Sequence, residues 1–196
     1  MCKTAPKLKL IIEENFTANL FQSLKQGTLD AIVISYPFDE AGIETAALYQ
    51  EPFIVALPRN HEWNNRTQIR PEELASQDLM LLGAGHCFRD QVIEACPNCM
   101  SGDSELTRTL EGGSLETIRH MVAAGTGITV LPLTSVPHSQ RHESLIEMKP
   151  FTRPSPNRTV AIAWRKHYPR KEAIATVRET IQASPLEGVD IIRAVA

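Results

Sequence analysis

The chain has 196 residues, 42% of them hydrophobic and 22% charged, with a formal net charge of −3. That length holds one good core or two small ones, and the near-neutral balance lacks the basic footprint that nucleic-acid binding needs. No apolar run approaches the ~20 residues of a membrane span, and Met1-Cys2-Lys3-Thr4-Ala5-Pro6 does not open a signal peptide, so the expected location is cytoplasmic with no membrane partner.

Apolar patterns of strand and helix type alternate along the chain, which argues for an α/β fold with a largely parallel sheet. Lys9 to Glu13 reads as a short strand. Phe16 to Gln26 reads as an amphipathic helix, with Leu20 and Leu24 one turn apart and Gly27 placed to close it. Asp30 to Ser35 then has the continuous apolar character of a buried parallel strand, and a longer strand follows from about Ala47 to Leu57, ending at Pro58. Leu79 to Leu82 is another apolar strand, running into Gly83-Ala84-Gly85-His86-Cys87.

Ser114 is a credible N-cap for a helix over Leu115 to Ala124, with Glu116 in the first turn, where the dipole favours an acid. Leu115, Ile118 and Val122 would form its buried stripe, and Gly125 would end it. Ile128 to Leu131 is the next buried strand. The three prolines between Pro150 and Pro156 mark a connection or hinge, before a strand over Thr159 to Trp164 and a closing helix over Lys171 to Ala183. The proline-rich connection near 155 and the long strand near 50 are natural crossovers between an outer lobe and an inserted one. A cleft between two such lobes is a common ligand site.

Cys2 stands alone, while Cys87, Cys96 and Cys99 crowd into residues 83–99. A strand ends there, glycines allow a tight turn, and a helix starts near Phe88, which puts Cys87 at or beside a helix N-terminus. Unpaired N–H groups and the positive dipole end stabilise an anion at such a place, and His86 and Arg89 act in the same direction. A thiolate attacks peroxide to give a sulfenic acid, which condenses with a nearby thiol. Cys96 follows Cys87 by nine positions. In a continuous helix the two stand roughly 13–14 Å apart, whereas a disulfide needs Cα atoms within about 4.4–6.8 Å. Helix and disulfide would exclude each other, and Pro97 helps keep the helix short. Two other readings of the same residues stay open. The cysteines can be small buried hydrophobes, or His86, Cys87, Cys96 and Cys99 can be four zinc ligands. Cys99 is either a spare thiol that competes for a sulfenate or a surface residue.

At Gly85-His86-Cys87-Phe88-Arg89-Asp90-Gln91, with Cys96 following, the chain resembles the peroxide-sensing branch of the LysR-type transcriptional regulators. Pro6-Lys7-Leu8 with Thr17 and Leu20, and Gly27-Thr28-Leu29-Asp30, are similar to the first lobe of that family's effector domain. Ser114-Leu115-Glu116-Thr117, Met121-Val122-Ala123-Ala124-Gly125, Gly127-Ile128-Thr129 and Leu131-Pro132 are similar to the second. The resemblance implies an α/β, two-lobed, periplasmic-binding-protein-like (type 2) effector domain. Residues 1–50 and 158–196 would form lobe I, and residues 51–157 lobe II with the redox cysteines. The first strand and helix of lobe I would have no counterpart here, and no DNA-binding domain would lie in this chain.

The resemblance further implies a hydrogen peroxide sensor in which Cys87 is the peroxidatic cysteine and Cys96 the resolving one. Their reversible disulfide would form through a Cys87 sulfenic acid. Thr17, His86, Arg89, Asp90 and Arg158 hold positions that in the family surround the peroxide or tune the thiol. Taken singly, Thr17 could be a helix-start residue, Asp90 a first-turn acid and Arg158 a surface charge. Implied partners are hydrogen peroxide, further copies of the chain (a dimer, and a tetramer in the full-length regulator), thiol reductants such as glutaredoxin, and DNA only through an N-terminal domain outside this chain. No cofactor, metal or enzymatic turnover is expected. The competing functions are an effector domain that binds a small organic ligand, with incidental cysteines, and a two-cysteine thiol peroxidase.

Overall fold

The structure, a computed structural model, describes residues 8–100, 111–136 and 145–193; Cys2, Pro6 and Lys7 lie outside them. The described chain divides into two compact units, Met1–Glu51 with Arg158–Ala196, and Pro52–Asn157.

In the first unit, helix α1 (Thr17–Gln26) buries Leu24 against strand β1 (Ala31–Tyr36). Gly27 closes the helix in the left-handed conformation at φ 83°, where its N–H donates to the Leu24 carbonyl. β1 pairs with β7 (Asn157–Arg165), which in turn neighbours β2 (Ile43–Pro58), and the short β8 (Asp190–Ile191) adds to β2 at Tyr49 and Gln50. A closing helix (Lys171–Gln182) buries Ile174 in the cluster formed by Leu48, Val160, Ile162 and Tyr168.

In the second unit the order is β6 (Ile146–Pro150), the second half of β2, β5 (Ile128–Pro132), β3 (Leu79–Leu82) and β4 (Glu111–Gly112). Every residue of β3 and of β5 is buried, as their uninterrupted apolar runs require. Helix α2 (Cys87–Ala95) follows β3, and helix α3 (Leu115–Ala123) packs on β3, β4 and β5 through Ile118 and Val122. Ser114 caps α3 through its hydroxyl, which accepts from the Thr117 N–H at 3.1 Å. Gly112 lies so close to Ile118 that an added Cβ would overlap that side chain, which sets how near α3 comes to the sheet.

Two expectations are corrected. Residues 8–16 form no strand; Leu10, Ile11 and Ile12 are 50%, 85% and 81% exposed, and among the described residues no strand pairs with them. Alternation alone cannot make a strand, because the backbone needs a neighbour to bond. The sheet is mixed rather than largely parallel. β1 pairs with β7 antiparallel, as β2 does with β5, β6 and β8, whereas β3 pairs parallel with β4 and β5. β7, from late in the chain, sits between β1 and β2, which makes β1 an edge strand with an alternating face and Val33 49% exposed.

Candidate functional site

The second unit carries the cysteine-bearing segment on one short helix. β3 ends at Leu82, and the turn that follows is possible because Gly85 takes φ 95°, a conformation costly for any residue with a Cβ. His86 is the N-cap residue and Cys87 the first residue of α2. Cys87 is exposed at the N-terminus of α2, the positive end of the helix dipole. Asp90 lies exposed in the same first turn, where its charge suits the dipole.

One face of α2 goes inward. Phe88 is 5% exposed and meets the Phe53 ring edge-to-face, with centroids 5.0 Å apart at 82°; Val92 and Cys96 follow at four-residue steps, 1% and 2% exposed. Arg89 ties the first turn to the sheet. Its guanidinium donates to the Leu82 carbonyl at 2.8 Å and to Glu111 Oε1 at 2.6 Å. The helix ends at Cys96, whose N–H still donates to the Val92 carbonyl at 3.0 Å.

A single 3₁₀ turn, Pro97–Met100, continues the chain and packs against a second such turn at Pro71–Ser76. Within it the Cys99 N–H donates to the Cys96 carbonyl at 3.0 Å. Cys99 is 5% exposed, so the idea of a surface cysteine fails for it. Burial, reinforced by the adjacent Cys96, pushes its thiol from about 9 up to about 12.

Cys87, Cys96 and Cys99 are all thiols. Among the described residues no group of three or more His, Cys, Asp and Glu side chains is gathered for a metal ion. Cys87 and Cys96 are the two ends of one intact helix, roughly 13–14 Å apart at ~1.5 Å per residue. No disulfide can join them while α2 persists.

Thr17 and Arg158 belong to the other unit. Thr17 is the first residue of α1. Arg158 is not a bare surface charge; its Nε donates to Glu51 Oε1 at 2.6 Å, and Glu51 is fully buried. Sequence reasoning passed over Glu51 and Glu111. An acid inside the apolar run of β2 was a usable signal for Glu51, and nothing local marks Glu111 as the partner of Arg89. The depth of Cys96 agrees with the reading of the cysteines as small buried hydrophobes, and the Phe88, Val92, Cys96 row, which that reading did not use, is the pattern of a buried helical stripe.

Residues 1–185 match the family model described as LysR substrate binding domain. A "Hydrogen peroxide-inducible genes activator" of Pectobacterium carotovorum subsp. carotovorum is 36% identical over 184 residues, covering 92% of this chain and 60% of that protein. This chain therefore spans less than two thirds of the length of that curated relative. Among solved structures, a reduced form of OxyR from N. meningitidis aligns with a TM-score of 0.92 at 40% identity, over 98% of this chain and 89% of the other. A reduced and an oxidised form of OxyR, both 32% identical and covering 93% of this chain and 84% of theirs, align at TM-scores of 0.81 and 0.77.

Proposed function

The chain belongs to the family of LysR substrate binding domains, and on that premise we propose that it is the hydrogen peroxide-sensing regulatory domain of a LysR-type transcription regulator. One observation carries the reading: the exposed Cys87 opens a helix that the buried Cys96 closes. Peroxide reaches the first thiol and not the second, and joining the two requires the helix to come apart.

The chemistry runs in two steps. The Cys87 thiolate attacks one peroxide oxygen; the O–O bond breaks, a proton is taken up and water leaves, so that Cys87 becomes a sulfenic acid. The Cys96 thiol then attacks the Cys87 sulfur, expels a second water and forms the disulfide. Two electrons pass from the pair to one peroxide. Melting α2 releases Phe88 and Val92 from the core and Arg89 from Glu111, so one bond becomes a local change of fold. In the whole regulator that change would be read out by DNA-binding modules through contacts between copies, and a thiol reductant would reset it.

His86, Arg89 and Asp90 share the first turn of α2 with Cys87, which supports a role for them in taking up peroxide. The parts given to Thr17 and Arg158 rest on the family resemblance. Replacing Thr17, His86 or Asp90 is expected to slow oxidation of Cys87 without abolishing it.

The deciding experiment is disulfide mapping by mass spectrometry after a small excess of peroxide. A Cys87–Cys96 link that disappears in Cys87→Ser is the expected result. A chain in which Cys87 stays a thiol is not a peroxide sensor. Peroxide consumption far beyond one equivalent, in the presence of a thiol reductant, would make it a peroxidase instead.

A further inference from the structure

Cys96-Pro97-Asn98-Cys99 is a pair of thiols three residues apart, and the structure gives it a geometry that the Cys87–Cys96 pair lacks. The two cysteines bracket one 3₁₀ turn, held by the 3.0 Å bond from the Cys99 N–H to the Cys96 carbonyl. Three residues at ~2.0 Å rise put their Cα atoms roughly 6 Å apart, inside the range a disulfide accepts. Closing this pair leaves α2 whole, whereas closing Cys87 with Cys96 takes α2 apart. Both thiols are buried in the same core cluster, so peroxide in solution meets Cys87 first.

We propose that Cys96 and Cys99 form a second dithiol couple, which takes the oxidation over from Cys87 by thiol–disulfide exchange. The inference rests on the proposed function for its first step. Once Cys87 and Cys96 are linked, the Cys99 thiolate attacks the Cys96 sulfur. The bond from Cys96 to Cys87 breaks and the bond from Cys96 to Cys99 forms. Cys87 leaves as a thiolate and takes up one proton, matching the one Cys99 gave up. No electrons enter or leave, so no further oxidant is needed.

The exchange has a direction. With Cys87 released, residues 87–95 can wind again, returning Phe88 and Val92 to the core and Arg89 to Glu111. It also has a gate. In the folded reduced state burial holds Cys99 as a thiol, and the attack waits until α2 has opened around it. The product is oxidised at 96–99 yet has its helix restored, so the refolded state that peroxide creates ends by itself. A dithiol reductant is then needed only to reopen the second pair.

The test uses the whole chain with one equivalent of hydrogen peroxide, quenched with catalase at successive times, alkylated in acid and mapped for disulfides. The expected course is a Cys87–Cys96 link that rises and then decays, while a Cys96–Cys99 link grows and Cys87 becomes alkylatable again. In Cys99→Ser the first link should last roughly tenfold longer or more. A wild-type Cys87–Cys96 link that persists while Cys99 stays alkylatable overturns the proposal. A second arm equilibrates Cys87→Ser with a glutathione redox buffer and asks whether 96–99 closes. Closure supports the couple and an open pair overturns it. This arm reads the pair even if no Cys87–Cys96 link ever forms, a result that would count against the sensor reading instead.

Discussion

Phe88 is the residue through which the opening of α2 can be tuned without touching a sulfur. Its ring is 5% exposed and contacts Phe53 edge-to-face at 5.0 Å, so Phe88→Ala removes both the burial and the ring pair. Truncating a buried phenylalanine costs about 3–5 kcal/mol. Taking the lower figure, and releasing Phe88 fully in the open form, the population of opened α2 rises roughly 100-fold. The assay is the rate at which Cys96 is alkylated in the reduced native protein, measured in a Cys87→Ser background with reagent slow enough for α2 to reclose between encounters. Hydrogen exchange at the amides of 88–96 should accelerate by the same factor, while β5 amides respond only to the loss of global stability. A Cys96 labelled at the parental rate, in a protein whose melting temperature has nonetheless fallen, would show that Phe88 stays packed when Cys96 emerges. The coupling of helix, core and thiol argued above would then be wrong.

Gly127→Ala is expected to destabilise by about 1–3 kcal/mol, because a Cβ there overlaps the Asp78 carbonyl, a backbone atom that cannot swing aside; thermal melting should fall by several degrees, and an unchanged midpoint refutes the reasoning. Glu73 is held down to about 2, first by the Arg70 N–H and then by the Arg70 and Arg66 guanidinium groups. A depressed carboxylate stabilises the fold above its ordinary value near 4.5, and that stability fades as the pH falls toward about 2. Glu73→Gln should therefore flatten acid denaturation across that window and lower stability at neutral pH. The raised Cys99 thiol works in the opposite sense: its contribution is complete below about 9 and is lost as the pH climbs toward about 12. Cys99→Ala should show a shallower alkaline limb in urea denaturation, and identical limbs would count against the burial of that thiol.

What could be read in the sequence was what neighbours along the chain decide. Ser114 announced its helix because a hydroxyl three residues before an N–H caps it wherever it occurs, and Gly27 because only glycine takes the turn at little cost. Leu79 to Leu82 was legible as a strand from its unbroken apolar run, and the start of α2 from the glycines before Cys87. What failed depended on distant partners. Nothing within residues 31–36 says that they will meet residues 159–164 running the other way, and nothing within 9–13 says whether a neighbour exists at all. The same limit governed the site. The position of Cys87 on its helix was local and came through; the pairing of Arg89 with Glu111, 22 residues on, and of Arg158 with Glu51, 107 residues back, was not local and did not.

The mutual exclusion of α2 and the Cys87–Cys96 link also fixes where a redox couple built on them would sit. Oxidation must undo the helix, so whatever stability α2 contributes is subtracted from the disulfide and raises its reduction potential, by about 30 mV for each 1.4 kcal/mol. A firmly packed helix thus makes the couple harder to oxidise and easier to reduce. The packing of Phe88 and Val92, which looks like ordinary core, would in this sense set the threshold of such a couple. Repacking that face by a methylene or two would move the threshold by tens of millivolts without altering either sulfur.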